Sequence, residues 1–161
     1  AGKKRPAANI NYKQLDIEYD LPFADNSFDF IFSNMVMHYV KNIAKTAIEF
    51  IRILKPNGEL IISTQHPLFT VTRFTFLKDI HVRTEFKAKS LKGSAVLSRY
   101  HEPLDSFIAH FTHAGFSLET QKDAIITEEF TKLYPSYRNF IGLPRFVVLK
   151  FRKNHQLKKT K

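Results

Sequence analysis

An α/β fold is what this sequence predicts, on three observations. Strand-like and helix-like segments alternate along the chain, the pattern of layered α/β domains. Phe28, Phe30, Ile31 and Phe32 form a nearly continuous apolar run, as expected for a strand covered on both faces. Ile43, Ala44, Ala47, Ile48, Ile51 and Leu54 recur at three- and four-residue spacing, which lays one apolar stripe along a helix.

Taken in order, Ile10 to Leu15 reads as a short strand ending at Asp16, and Asp25-Asn26-Ser27 as a polar turn. Asp29 enters the strand Phe28 to Phe32 as an edge or cap residue. The helix Ile43 to Leu54 ends at Lys55-Pro56-Asn57-Gly58, because Pro56 cannot continue it and Gly58 accepts positive φ. Glu59 to Thr64 follows as a buried strand. After Pro67 the period changes. Ile80, Val82, Thr84 and Phe86 alternate with His81, Arg83, Glu85 and Lys87, the signature of a one-sided strand. Ala95 to Tyr100 is its expected partner across a Lys-rich loop with Gly93. Residues 68–100 are therefore expected to form an inserted antiparallel cap within a single domain, with a basic tail at 152–161. Pro103 suits the first turn of a helix, with Leu104, Phe107, Ile108 and Phe111 as its buried face and Gly115 as its C-terminal cap. Phe116 to Gln121 and Arg145 to Phe151 are the closing strands.

At 161 residues and 43% hydrophobic content, the chain suits one domain with a proper core. The lack of cysteine excludes disulfides, thiolate metal sites and cysteine nucleophiles, and it fits a reducing cytoplasm. The net charge of +10 raises nucleic acid as a partner. Its distribution argues against that: positive charge collects in Lys3-Lys4-Arg5 and in Lys150 to Lys161, with Arg152, Lys153, Lys158 and Lys159, as in solvated tails. Asp16, Glu18, Asp20, Asp25 and Asp29 would repel a phosphate backbone. No apolar run is long enough to span a bilayer. The first residue is Ala rather than Met, so a processed or partial chain is expected.

Asp16 stands where a strand gives way to a loop, the end of an open α/β sheet at which ligands bind. A carboxylate there can accept from an amino or hydroxyl group. Asn34 offers both a donor and an acceptor. His38, His66 and His101 are the candidate bases, since neutral imidazole suits proton removal near neutral pH. His110 and His113 share a helix face, but no third metal ligand is near in sequence, and no metal site is expected.

Several linked stretches carry a family resemblance. They are the segment ending at Asp16, Leu21-Pro22-Phe23 through Asp29, the strand to Ser33 with Asn34 and Met35, Leu54-Lys55-Pro56-Asn57-Gly58, the strand to Thr64, and Ala114-Gly115-Phe116 with the last strand. In this order, from about Ile10 to Arg152, the chain resembles a class I S-adenosylmethionine-dependent methyltransferase of type 11. The resemblance implies a partial Rossmann-like sheet with flanking helices, S-adenosylmethionine as cofactor and a small-molecule acceptor. It implies that Asp16 and Ile17 meet the adenine, that Ser33, Asn34 and Met35 lie beside the methionine part, and that His38, His66 or His101 faces the acceptor. The post-strand sequence Ser33-Asn34-Met35 is not the Asn-Pro-Pro-Tyr signature of base-amine methylation. The family's Gly-x-Gly-x-Gly loop is missing; the five glycines are Gly2, Gly58, Gly93, Gly115 and Gly142. Without the strands around that loop, one sheet edge is expected to lie open, and a homo-oligomer through that edge is the partner it suggests. Two other readings stand beside the enzyme: a non-catalytic methyltransferase-like binding module, and an RNA-directed methyltransferase.

Overall fold

The computed structural model describes residues 10–73, 82–90 and 93–154. In chain order these form β1 (Phe28–Asn34), a 3-10 helix (Met37–Tyr39), α1 (Ile43–Ile53), β2 (Leu54–Gln65) and α2 (Pro67–Arg73). Then come β3 (Val82–Ser90), β4 (Gly93–His101), α3 (Leu104–Ala114) and β5 (Phe116–Ile125). The chain ends with α4 (Glu128–Leu133), a second 3-10 helix (Pro135–Phe140) and β6 (Pro144–Lys153). The main sheet has the order β1-β2-β6-β5. β1 and β2 are parallel, whereas β6 runs antiparallel to both β2 and β5. The fold is α/β, as predicted.

The core lies between the sheet and the α1–α3 pair, which pack on one another. Leu60 and Ile62 of β2 and Val147, Leu149 and Phe151 of β6 join Ala47, Phe50 and Ile53 of α1 in it. Phe111 of α3 stacks on Phe151 at 5.0 Å between ring centroids. The predicted stripe of α1 is corrected in part: Ala44 and Ile48 face outward, and Phe50, Thr46 and Glu49 are buried instead. Glu49 is buried because it has work there. Its Oε2 accepts from the Leu21 amide at 2.9 Å and from Arg52 Nη2 at 2.8 Å, and Arg52 also donates to the carbonyls of Leu21 and Phe23. The Arg52 hydrogen bond, before any other influence, holds the Glu49 carboxyl down at about 2.

Several expectations are corrected. Ile10 to Leu15 is not a strand but coil, with Ile10 and Leu15 58% and 39% exposed. A strand needs a neighbour to satisfy its backbone, and this segment pairs with none among the described residues. β1 is the sheet edge, not a strand covered on both faces: Phe30 and Phe32 are 47% and 59% exposed. At the β2 entry, Asn57 rather than Gly58 takes the positive φ, at 62°. Gly58 is needed for space, because a Cβ there would meet Lys55 O at 2.8 Å and Asp29 O at 3.2 Å. Both obstacles are backbone, so Gly58→Ala is expected to cost about 1–3 kcal/mol, read as a lowered denaturant midpoint. Pro103 is the N-cap of α3, one residue before the first turn. Gly115 caps the other end at φ 110° as predicted.

The basic tail also begins later than expected. Lys150 and Arg152 are sheet residues paired with Glu59 and Glu119. Lys153 is buried, and its Nζ donates to Asn26 Oδ1 and to the carbonyls of Ile51 and Leu54 at 3.0, 2.7 and 2.6 Å. It thus closes the C-terminal end of α1, where orphan carbonyls need donors. Lys3-Lys4-Arg5, Lys158, Lys159, Ile80, His81 and the loop before Gly93 lie outside the described residues. Between them, β3 and β4 form a separate antiparallel ladder from Val82↔His101 to Ser90↔Gly93. α4 and the second 3-10 helix carried no expectation from the sequence; their spacing is too short for a periodic signal. Among the described residues no helix is long and apolar enough to cross a membrane.

Candidate functional site

The carboxyl ends of β1 and β2 carry the polar groups that the fold concentrates. Leaving β1, the chain turns sharply: Met35 takes φ 57°, and its amide donates to Ser63 O at 2.8 Å. That turn seats the Met37–Tyr39 helix beside β2. His38 is buried there, with Nδ1 3.2 Å from Thr64 Oγ1 in a hydrogen bond. β4 packs against the same short helix, with the Arg99 guanidinium 5.7 Å from the Tyr39 ring centre. The antiparallel pair thereby brings Tyr100 and His101 to His38.

Together they line an open cleft. Its polar lining is His38, Thr64, Gln65, Thr70, Tyr100, His101 and Glu102; its apolar lining includes Met37, Ile43, Leu104 and Phe107. A mostly apolar recess with a few convergent polar groups is the form of a small-molecule site. Burial, then Arg99, His101 and Arg145, hold the His38 imidazole down at about 4. His101 is lowered too, by burial and then by Arg99. Both rings are therefore neutral near pH 7, able to accept or donate one hydrogen bond at each nitrogen. Glu102 is engaged by His110 Nε2 at 2.9 Å.

The third candidate base stands elsewhere. His66 Nδ1 accepts from the Leu68 amide at 3.1 Å, and Nε2 lies 3.8 Å from Asp123 Oδ1. Its carbonyl accepts from Thr70 at 3.4 Å, so it fastens the start of α2 and is not among the cleft-lining residues. Among the described residues no cluster of three or more His, Asp or Glu groups could hold a metal.

The predicted cofactor residues fall into two groups. Ser33, Asn34 and Met35 end β1; Asn34 Oδ1 accepts from Ser63 Oγ at 2.5 Å, and Ser33 Oγ is buried with no hydrogen-bond partner. Asp16 and Ile17 lie in the preceding loop. There Thr46 Oγ1 donates to Ile17 O at 3.1 Å, and Asp16 Oδ1 accepts from the Glu18 amide at 3.0 Å. Glu18 in turn accepts from the amides of Lys41 and Asn42, which fixes the loop against the start of α1. Asp16 and Asn34 are exposed, and Ser33 is buried.

Residues 1–62 match the family model described as a methyltransferase domain. The fold extends the match. An S-adenosylmethionine-dependent methyltransferase from Mesorhizobium loti superposes with a TM-score of 0.66 at 18% identity, over 92% of this chain and 72% of that one. In fold this chain is similar to S-adenosylmethionine-dependent methyltransferases. A second such enzyme, from Methanosarcina mazei, gives a TM-score of 0.62 at 18% identity, covering 89% of this chain and 67% of that one. In sequence, the ubiquinone/menaquinone biosynthesis C-methyltransferase UbiE of Haemophilus ducreyi is 31% identical over 116 residues, 67% of this chain and 44% of that protein. The demethylmenaquinone methyltransferase of Symbiobacterium thermophilum is 38% identical over 81 residues, 47% of this chain and 32% of its own length. The chain thus spans less than half of these curated relatives. Both solved structures are described as S-adenosylmethionine-dependent methyltransferases.

Sequence reasoning named His38 and His101 but not Thr64, Gln65 or Tyr100 as cleft residues. The period-two pattern of β2 does point Thr64 to the same side as Leu60 and Ile62, and that was the available signal.

Proposed function

We propose that this chain forms the acceptor side of an S-adenosylmethionine-dependent transfer of a methyl group to a small molecule. The observation that carries the reading is the cleft at the ends of β1 and β2, where His38, Thr64 and His101 converge beside Ser33, Asn34 and Met35. The residues present fit one end of the cofactor. Asp16 offers an exposed carboxylate to the adenine amino group, with Ile17 beside it, and the unpartnered Ser33 Oγ offers a buried hydroxyl. When bound, S-adenosylmethionine supplies a methyl group activated on a sulfonium, which transfers only to an acceptor atom held in line. The chain's own part is that alignment. Apolar Met37, Ile43, Leu104 and Phe107 exclude water from the acceptor. His38, fixed in orientation by Thr64, accepts a hydrogen bond from the acceptor with its other nitrogen. A pKa of about 4 makes it a positioning acceptor and a weak base, since strong general bases sit near the working pH. The cysteine-free composition suits a cytoplasmic setting.

Calorimetry with S-adenosylmethionine and S-adenosylhomocysteine tests the reading. Both are expected to bind the chain, and Asp16→Ala to weaken each by about tenfold or more, the worth of one hydrogen bond to a charged group. A folded sample that binds neither defeats the cofactor part of the proposal for this chain.

One observation favours a second reading, a non-catalytic module that pairs through β1: the exposed Phe30 and Phe32 along the sheet edge. In that case the chain sediments as a dimer and Phe32→Lys returns it to monomer; a monomer at all concentrations removes this reading. The RNA reading loses support, because Lys150 and Arg152 are neutralised by Glu59 and Glu119 and Lys153 is buried.

A further inference from the structure

The wall behind the cleft holds a cation whose charge the described residues leave unanswered. Arg145 opens β6 next to the strand end that carries Thr64 and Gln65: its carbonyl accepts from the His66 amide at 3.2 Å, and Phe146 pairs with Gln65. Its guanidinium is gripped by aromatic rings, 4.4 Å from the centre of Phe146, 4.6 Å from Phe69 and 5.5 Å from Tyr137. Nη2 reaches the Tyr137 hydroxyl at 3.4 Å. Nη1 is sealed from solvent and has no hydrogen-bond partner, and among the described residues no carboxylate pairs with Arg145. Leaving such a donor unsatisfied costs about 1–3 kcal/mol or more for a charged group, so the position begs for an acceptor.

Neither Glu102 nor Asp123 supplies it. Glu102 is taken by His110 at 2.9 Å, and Asp123 lies 3.8 Å from His66 Nε2. The surroundings are instead positive: Arg99 and Arg145 both act on His38 in the same sense. Phe69, on which the guanidinium lies, immediately precedes Thr70, and Thr70 and Gln65 line the cleft. Arg145 is not itself among the cleft-lining residues; an anion that passes between these two would meet a planar fork already oriented by three rings. Such preorganisation spares the entropy of ordering a long side chain.

We propose that the methyl acceptor of this cleft carries a carboxylate on an apolar body, and that Arg145 binds the carboxylate through its unpartnered Nη1. The apolar body then lies along Met37, Ile43, Leu104 and Phe107. This rests on the acceptor-cleft reading above, but its test contains no cofactor, so the two fail separately.

The probes are octanoate and octanamide, equal in chain length and differing in charge, measured by calorimetry on the 161-residue chain. Octanoate is expected to bind about tenfold more tightly, as one charge-assisted hydrogen bond provides. Arg145→Gln should abolish that preference, while Arg145→Lys, a charge without the planar fork, restores only part of it. Equal binding of the two probes to the wild-type chain overturns the proposal without need of any variant. So does binding of neither probe, or an octanoate preference that survives in a folded Arg145→Gln protein. Success here beside failure of the S-adenosylmethionine titration would leave an anion-binding cleft without the enzyme reading.

Discussion

Phe111→Ala is expected to destabilise the chain by about 3–5 kcal/mol, the cost of emptying an aromatic site in a packed core. Phe111 is fully buried and touches three other rings, with centroids 5.0 Å away at Phe151, 5.3 Å at Phe107 and 6.2 Å at Phe116. These come from β6, from α3 itself and from β5, so one deletion loosens the helix from the strands beneath it. Phe107 and Leu104 of the same helix line the cleft, and ligand binding should weaken along with stability. Phe32→Ala is the contrast: the same chemical change at a 59% exposed position should fall within about 0.5 kcal/mol. Denaturant titration of the two variants checks the pair. Equal losses would mean that the α3–sheet packing is not the stabilising layer.

Acidification gives the second large effect. The ordinary imidazole value is 6.5, and in the fold His38 is held at about 4, chiefly by burial. As pH falls below 6.5 the unfolded chain takes up a proton that the folded chain still refuses. Stability is therefore fully present above 6.5 and is lost as pH falls towards 4. The gap corresponds to about 3 kcal/mol. His66 and His101 are lowered as well, each chiefly by burial, and they add in the same direction. Glu49, held at about 2 from 4.5, contributes only at still lower pH, where stability falls again. The test is the denaturant midpoint followed across this range for the wild-type chain and for His38→Gln. The variant should lose the His38 part of the slope between 6.5 and 4; an unchanged slope would show that His38 titrates in the folded state as it does in the unfolded one.

Much of the fold was legible because its signals are local. The α1 period, the Gly115 cap and the apolar runs of β1, β2 and β6 each state a conformation within a few residues. The errors arose where neighbours decide. Ile10 to Leu15 had the composition of a strand and no partner to pair with among the described residues. Phe30 and Phe32 read as buried because an apolar run cannot say which face will be covered. Lys150, Arg152 and Lys153 looked like the start of a tail, yet two find carboxylates across the sheet and the third finds carbonyls at a helix end.

The site divides in the same way. From the sequence alone came the α/β class, the order of its motifs, the acid at Asp16, the strand-end residues Ser33, Asn34 and Met35, and His38 and His101 as candidates. Only the tertiary structure set His38 against Thr64 and brought His101 to it from more than sixty residues away. It also sent His66 to a helix start and left Arg145 with an orphan donor. Burial and charge are sums over neighbours in space, and the chain order holds no record of those sums.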